Sequence, residues 1–325
     1  MNITVKTKVS TVTCVQASRC ALTGKKIFTL ELEYPRPIHA QLLTHGVFSK
    51  NSSSTRAVPL HAAIKQLREN PAQYVWTINQ SGMQGVELKE EDTLMPDRVM
   101  VMARESAIGY AQFLNDATDL GGLGIHKQNA GRLLEPFQNI KIVLTSTEWE
   151  NWDWLRNHED AQGEIADLAR AIKEARDSAE VLNLKAGEWH VPYVERIRHE
   201  GGLLEYGIAD SENGWVTLSV EEAKKVSMSV CAQISYRKSD TDLEKADRMK
   251  GNLVDGHRVH ASPFEHQATP VIQYSEELGL NDLYDFETWE DGVTHLRRDG
   301  VFGSGNFVGW IQHRQLIPKH DKALF

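Results

Sequence analysis

Two segments near the start of the chain alternate polar and apolar residues, as half-buried β-strands do. They cover residues 3–13 and 26–33, and Thr23-Gly24 between them has the chemistry of a tight turn. Successive residues of a strand point to opposite faces of a sheet, so the alternation also fixes which side chains face the core. The pattern predicts a β-hairpin.

Most of the remaining sequence has helical periodicity. Apolar residues recur at helical spacing in segments that predict helices at 38–45, 59–68, 97–120, 126–134, 146–182, 219–236, 240–252 and 286–298. A break is predicted near 157–160, and Ser219 followed by Glu222 is a capping-box pattern. Residues 73–78 predict a short strand, and 200–207 predicts a loop. No linker or short repeat interrupts the chain, so a single intertwined domain is predicted for 1–325.

Charge and hydropathy narrow the class of protein. The net charge of −9 over 325 residues argues against extensive non-specific binding to nucleic acid. It leaves open a single nucleotide in a local basic pocket. No run of about 18 apolar residues exists and the first residues lack an apolar signal region, so we expect a cytoplasmic protein without a membrane segment. Cys14, Cys20 and Cys231 have no CxxC spacing, which favours buried thiols over a disulfide framework or a zinc site.

The stretch 41–56 (QLLTHGVFSKNSSSTR) is the first candidate for chemistry. It leads from an apolar segment into a loop with two side-chain amides, four serines and a closing arginine. Such donors suit a phosphorylated ligand. Arg56, Arg132 and Arg156 each lie in or beside an apolar segment with few other basic groups. An arginine in that setting has either a structural carboxylate partner or a phosphate partner.

Residues 260–266 (HASPFEH) combine two imidazoles and a carboxylate. Their spacing is neither HExxH nor HxxEH, and Pro263 suits a ligand-bearing helix badly, so no metal site is predicted. The remaining alternatives are a junction that offers polar groups to a ligand and a structural turn. The tryptophans at 149, 152 and 154 predict a buried aromatic face, and Ile165, Leu168, Ala169 and Ile172 predict a core stripe.

Three segments together resemble the flavin-dependent thymidylate synthases. The family motif Arg-His-Arg-x-x-Ser-x-Asn-x-x-Ser-x-Arg is similar to THGVFSKNSSSTR (44–56), with Gln41 three residues earlier. The sequence NWDWLRNHEDAQGEI (151–165) resembles the family's Asn-x-x-x-x-Arg followed by Ala-Gln-x-Glu-Ile. A third pair, AQIS (232–235) and HASPFEH (260–266), resembles segments that precede the arginine motif in the family. Here they follow it, so the order looks circularly permuted, which a fold tolerates when the original termini lie close together.

The resemblance implies an α+β fold, with a mostly antiparallel sheet packed against long helices. Residues 1–186 would form a nucleotide-binding core, and 187–325 would form the permuted flavin-binding segment plus unmatched additions. The implied activity is methylation of deoxyuridine monophosphate to thymidylate, with FAD as cofactor and NADPH and methylenetetrahydrofolate as cosubstrates. The family is homotetrameric, so we expect a homo-oligomer.

Residue roles follow from the same resemblance. The implied pyrimidine-nucleotide ligands are Gln41, Ser54, Arg56, Arg132 and Arg156, with Arg156 and Ser54 as the catalytic pair. The implied flavin ligands are His45, Asn51, Asn151, Ser235, His260 and Ser262. No metal is implied.

The chain departs from the family pattern at charged positions. Thr44 and Gly46 replace two arginines, Ser52 replaces a glutamate, and Thr145 and Thr147 replace the Asn and Arg of a flavin-binding Asn-x-Arg. Near the end, WIQHR (310–314) imitates the missing Trp-x-Arg-His-Arg run. We therefore hypothesise that this tail folds back into the site and that Arg314 contacts the cofactor.

Two rival functions stay open. One is the same one-carbon chemistry on another acceptor, either methylation or hydroxymethylation of a different pyrimidine nucleotide or of a base in a polynucleotide. The other is a non-catalytic nucleotide-binding protein.

Overall fold

The computed structural model describes residues 2–81, 85–210, 214–235, 240–254, 259–273 and 285–321. The helices are α1 His39–Leu43, α2 Leu60–Glu69, α3 Leu94–Asn115, α4 Lys127–Ala130, α5 Glu150–Arg156, α6 Gly163–Asp177, α7 Val220–Ala232 and α8 Leu243–Val254. The strands are β1 Ile3–Lys6, β2 Thr11–Cys20, β3 Lys26–Pro35, β4 Ser49–Ser52, β5 Thr77–Ile78, β6 Val86–Glu87, β7 Asn139–Ser146, β8 Leu182–Leu184, β9 Glu195–Arg198, β10 Leu204–Asp210, β11 Gly214–Leu218, β12 Ala268–Pro270, β13 His295–Leu296, β14 Phe302–Ser304, β15 Phe307–Val308 and β16 Trp310–Gln312.

A six-stranded sheet is the centre of the fold. Its strand order is β1-β2-β3-β7-β4, with β8 beside β2. All pairings are antiparallel except the one between β2 and β8. The predicted hairpin is confirmed as β2 and β3, and Gly24 in its turn has φ +69°. The α+β class with mostly antiparallel strands is confirmed.

The two faces of this sheet carry different cores. On one face, α6 buries Ile165, Leu168, Ala169 and Ile172 against Leu30 and other strand residues, which confirms the predicted core stripe. On the other face, α7 packs with Trp189, Phe307 and Trp310, so the last part of the chain returns to the sheet. The segments that look permuted in sequence therefore meet the N-terminal sheet in space.

Several local predictions are confirmed. Ser219 and Glu222 form the capping box at the start of α7, and the break between α5 and α6 includes the predicted 157–160. All three cysteines are buried and free. Trp149 and Trp152 are buried, but Trp154 is exposed, so the aromatic face was predicted wrongly at that residue.

Other local predictions are wrong. The segment 286–298 is a short 3-10 turn followed by β13, not a helix. Gly292 within it has φ +87°, which an α-helix does not contain, and a Cβ there would lie 2.7 Å from Ile311. Residues 3–13 form two strands separated by a turn, and the predicted loop 200–207 contains the start of β10. The predicted strand 73–78 is reduced to β5.

Among the described residues, no helix combines the length and apolar character needed to cross a bilayer.

Candidate active site

Arg156 gathers the residues of the first motif around its guanidinium group. Its Nε donates to His45 Nε2 at 3.2 Å, Nη1 to Gln41 Oε1 at 3.5 Å and Nη2 to Thr44 Oγ1 at 3.5 Å. Arg156 ends α5, and Trp152 one turn earlier is buried against His45 with ring centroids 4.8 Å apart. The buried tryptophan thus sets the position of the arginine.

His45 supports Arg156 without neutralising it. Burial, together with the charges of Arg156 and Lys50, lowers the pKa of His45. The ring is therefore neutral near pH 7, and its Nε2 accepts the hydrogen bond that Arg156 Nε donates. Within the described ranges, Arg156 forms no ion pair. Its positive charge is oriented and uncompensated, as recognition of a phosphate or a polarised carbonyl requires.

A relay of side chains holds Gln41 from behind. Gln41 Nε2 donates to Gln162 Oε1, and Gln162 Nε2 donates to Glu164 Oε2 at 3.0 Å. Glu164 is buried, and its other oxygen accepts from the backbone N–H of Val75 at 3.0 Å. The segment Ala-Gln-x-Glu-Ile thereby orients Gln41. The resemblance pointed to this segment, but the sequence did not assign Gln162 and Glu164 this positioning role.

Ser54 lies apart from this cluster and lines a cavity of about 310 Å³. The hydroxyl side chains of Ser53 and Thr55 line it too, beside α2 and the 3-10 turn Gly131–Phe137. Three cationic residues that sequence reasoning missed complete the polar lining: Arg36, Lys127 and Lys141. They come from three separate elements, so no local pattern could have grouped them.

The late segments converge on β4. The 3-10 turn Ser262–Glu265 contacts this strand, and Gln312 Nε2 donates to Ser49 Oγ at 3.0 Å and to the Glu265 carbonyl at 3.2 Å. Arg314 forms an ion pair with Glu265. The tail therefore does fold back onto the motif strand. Its arginine is already paired with a carboxylate of the same region.

The remaining predicted site residues vary in exposure. Arg56, Arg132, Asn151 and His260 are exposed, and Asn51 lies half-buried in β4 opposite Val143. Ser262 lies 3.5 Å from His260 Nδ1. Arg56 and Arg132 make no ion pair inside the described ranges, so the structural-carboxylate alternative is not realised there. The side chain of Ser235 and all of Tyr236 fall outside the described residues.

Two threonines at the flavin-motif positions are covered by the protein itself. Thr145 is fully buried, and its hydroxyl lies 2.7 Å from Thr29 Oγ1 and 2.9 Å from His266 Nδ1. Thr147 Oγ1 accepts from the backbone N–H of Val308 in β15 at 3.0 Å. The strand that contains Val308 thus covers Thr147, and Thr29 and His266 enclose the hydroxyl of Thr145.

Thr145 belongs to a buried polar chain. Its members, in order, are Arg196, Ser18, His190, Thr29, Thr145 and His266, joined by contacts of 2.7–2.9 Å. His266 Nε2 at the far end is buried without a partner. Burial lowers the pKa of His266 to about 3, so the ring is neutral.

In the part of the chain that is described, no three His, Cys, Asp or Glu residues are grouped as metal ligands would be.

Comparisons with known proteins give little beyond this. No protein-family model matches the chain, and no curated protein matches it. Among solved structures, it is similar to the UMP/dUMP methylase PolB from Streptomyces cacaoi bound with 5-Br UMP, with 16% sequence identity and a TM-score of 0.40. The match covers 52% of this chain and 89% of that one. At this level the similarity assigns no function.

Proposed function

We propose that the protein binds deoxyuridine monophosphate and transfers a one-carbon unit to its C5 atom, forming thymidylate. Methylenetetrahydrofolate would supply the carbon and NADPH the hydride, as in a thymidylate synthase (FAD)-like methyltransferase. One observation carries this proposal: Arg156, Gln41 and His45, from two separate motif-like segments, meet in one cluster that Gln162 and Glu164 support.

The chemistry assigns the central role to Arg156. In the net reaction, the C5–H bond is replaced by a C5–CH₃ bond, the C5 proton leaves, and a hydride reduces the transferred methylene carbon. A guanidinium beside a uracil carbonyl stabilises the negative charge that develops when the ring reacts at C5. Gln41 and His45 keep the guanidinium in place, while Ser54, Arg56 and Arg132 would contact the rest of the nucleotide.

The proposed flavin would be held by His45, Asn51, Asn151, Ser235, His260, Ser262 and Arg314. When bound, it would pass the hydride from NADPH to the carbon being transferred. The described residues fit this group in part: Asn151 and His260 are exposed and able to meet a ligand. Thr145 and Thr147 do not fit, because both are buried under the chain's own residues.

That mismatch favours a second candidate, a nucleotide-binding protein without the cofactor. Such a protein would keep the Arg156 cluster and the cavity beside Ser54 but would purify colourless. The same chemistry on another acceptor, either methylation or hydroxymethylation of a different pyrimidine nucleotide or polynucleotide base, would differ from both in its product.

The test is oxidation of NADPH that depends on deoxyuridine monophosphate and methylenetetrahydrofolate, with the product analysed by mass. We expect thymidylate, and a fall in rate of about 100-fold for Arg156→Ala, the cost of removing one preorganised charge-stabilising donor. Arg170→Ala, an exposed arginine on α6, is the matched control. A product one oxygen heavier would refute methylation, and a colourless protein that only binds the nucleotide would support the second candidate.

We also propose a homo-oligomer, which α3 supports. This helix buries Ile108 and Ala111 on one side, while Met95, Val99, Met102 and Phe113 are at least half exposed on the other. Their spacings of about one turn, one turn and three turns of helix place them on one stripe. An apolar stripe of that kind suits contact with another copy of the chain.

A further inference from the structure

The cavity beside Ser54 has an excess of positive charge. Arg36, Lys127 and Lys141 line it, against two acidic residues, Glu33 and Glu69. The cavity is about 310 Å³, near the lower end of the range for small-ligand sites, so it has room for one small molecule.

Most of these charges already have partners. Lys141 pairs with Glu31 at 2.7 Å, and Glu69 with Lys65 at 3.7 Å. Glu33 accepts a hydrogen bond from the Asn70 side chain.

Arg36 and Lys127 are different. Both are half-buried, and within the described ranges neither forms an ion pair or a side-chain hydrogen bond. Half-buried cations that form no ion pair are costly unless an anion from outside joins them, and the charge of Glu135 acts on Arg36 only from beyond ion-pair distance.

The rest of the lining suits a molecule with two kinds of surface. Leu60, Ala63 and Leu67 of α2 form an apolar wall, whereas Ser53 and Thr55 offer hydroxyl groups. A phosphate needs cations and donors, and a sugar or flat base needs apolar contact with a few polar groups. A nucleoside monophosphate has both.

We propose that Arg36 and Lys127 bind the 5′-phosphate of the nucleotide, with the sugar beside the wall of α2 and the base extending out of the cavity to Arg156. This inference rests on the proposed nucleotide-binding function, and it assigns the phosphate to two residues outside the motif-like segments.

The test compares deoxyuridine monophosphate with deoxyuridine in calorimetric titrations of the full chain. We expect Arg36→Gln and Lys127→Gln each to weaken binding of the monophosphate about tenfold, as loss of one charge-assisted contact does. Binding of deoxyuridine should stay within about twofold, because the nucleoside lacks the phosphate. Lys89→Gln removes the same charge from an exposed side chain that does not line the cavity and should change neither.

Two controls separate a phosphate contact from a structural role. Arg36→Lys keeps the charge and should restore most of the affinity for the monophosphate. If Arg36→Gln and Lys127→Gln bind the monophosphate like the unmodified protein, or lose the nucleoside equally, the assignment is wrong. It is also wrong if the unmodified protein prefers the nucleoside.

The outcomes distinguish this inference from the proposed activity. A protein that binds the monophosphate through Arg36 and Lys127 but forms no product keeps the inference and loses the activity. A protein that forms thymidylate with an unchanged KM for the nucleotide in both variants keeps the activity and loses the inference.

Discussion

Replacing Thr145 by valine should destabilise the fold more than any exposed threonine would. Arg196 at the head of the buried chain can only donate, so the hydroxyl of Ser18 that accepts from it is left to donate to His190. If every hydrogen bond of the chain donates in the same direction, away from Arg196, then Thr145 accepts from Thr29 and donates to His266 Nδ1. Valine has nearly the same shape but can do neither.

The magnitude follows from the two partners that are left behind. The O–H of Thr29 would lose its acceptor, although its oxygen still accepts from His190, and His266 Nδ1 would lose its donor, at about 1–3 kcal/mol apiece. No cavity opens, because a methyl group takes the place of the hydroxyl. We therefore expect Thr145→Val to lower the free energy of unfolding by about 2–6 kcal/mol.

Urea unfolding followed by circular dichroism measures this difference. Thr4→Val is the matched control: Thr4 lies in the same sheet and bonds to Thr13 at 3.0 Å, but it is exposed, so a change within about 0.5 kcal/mol is expected. Thr145→Ser keeps the hydroxyl and should lose about 1 kcal/mol for the missing methyl. If Thr145→Val were as stable as the Thr4 variant, the directed chain would be refuted.

Three further predictions concern pH, cofactor and assembly. Burial lowers the pKa values of His266 and His313 to about 3, below the ordinary 6.5. Unfolding therefore takes up protons between about pH 3 and 6.5. The free energy of unfolding should fall as the pH falls through this range, by up to about 1.4 kcal/mol per pH unit for each ring. A urea midpoint that is equal at pH 7 and pH 5 would contradict this. Arg314→Ala should weaken binding of flavin or nucleotide in titrations, and unchanged affinity for both would exclude the tail arginine from the site. Met102→Glu should reduce the mass measured by light scattering, whereas Lys173→Glu, on the exposed side of α6, should not.

The sequence predicted the parts of the fold that local patterns determine. Alternation identified β3 and helical spacing identified the stripe of α6, but the first strand of the hairpin is Thr11–Cys20 and not the predicted 3–13. It did not identify β7, although this strand joins β3 to β4 at the centre of the sheet. Residues 139–142 alternate for only four positions, and 143–146 are buried on both faces, so the alternation that marks a half-buried strand is too short to identify it.

The site was predictable to a smaller extent. Gln41, His45 and Arg156 were expected together because separate segments resembled one family. Arg36 and Lys127 carry no motif, and their common cavity arises from the packing of α2, α4 and the loop after β3. The burial of Thr147 depends on Val308, which is 161 positions later in the chain. Contacts at such separations are not encoded in local periodicity.

Positive charge is distributed unevenly between the residues proposed to bind the nucleotide and those proposed to bind the flavin. Gly46 aligns with an arginine of the pattern that the segment resembles; it is exposed, and a Cβ there would meet no atom within 4 Å. Arg314 returns from the tail but pairs with Glu265, which offsets the charge of its guanidinium group. On the nucleotide side, Arg156, Arg36 and Lys127 remain without carboxylate partners inside the described ranges. The electrostatics therefore favour retention of nucleotide binding over retention of flavin, and the visible spectrum of the purified protein separates the enzyme from the binding protein before any assay of turnover.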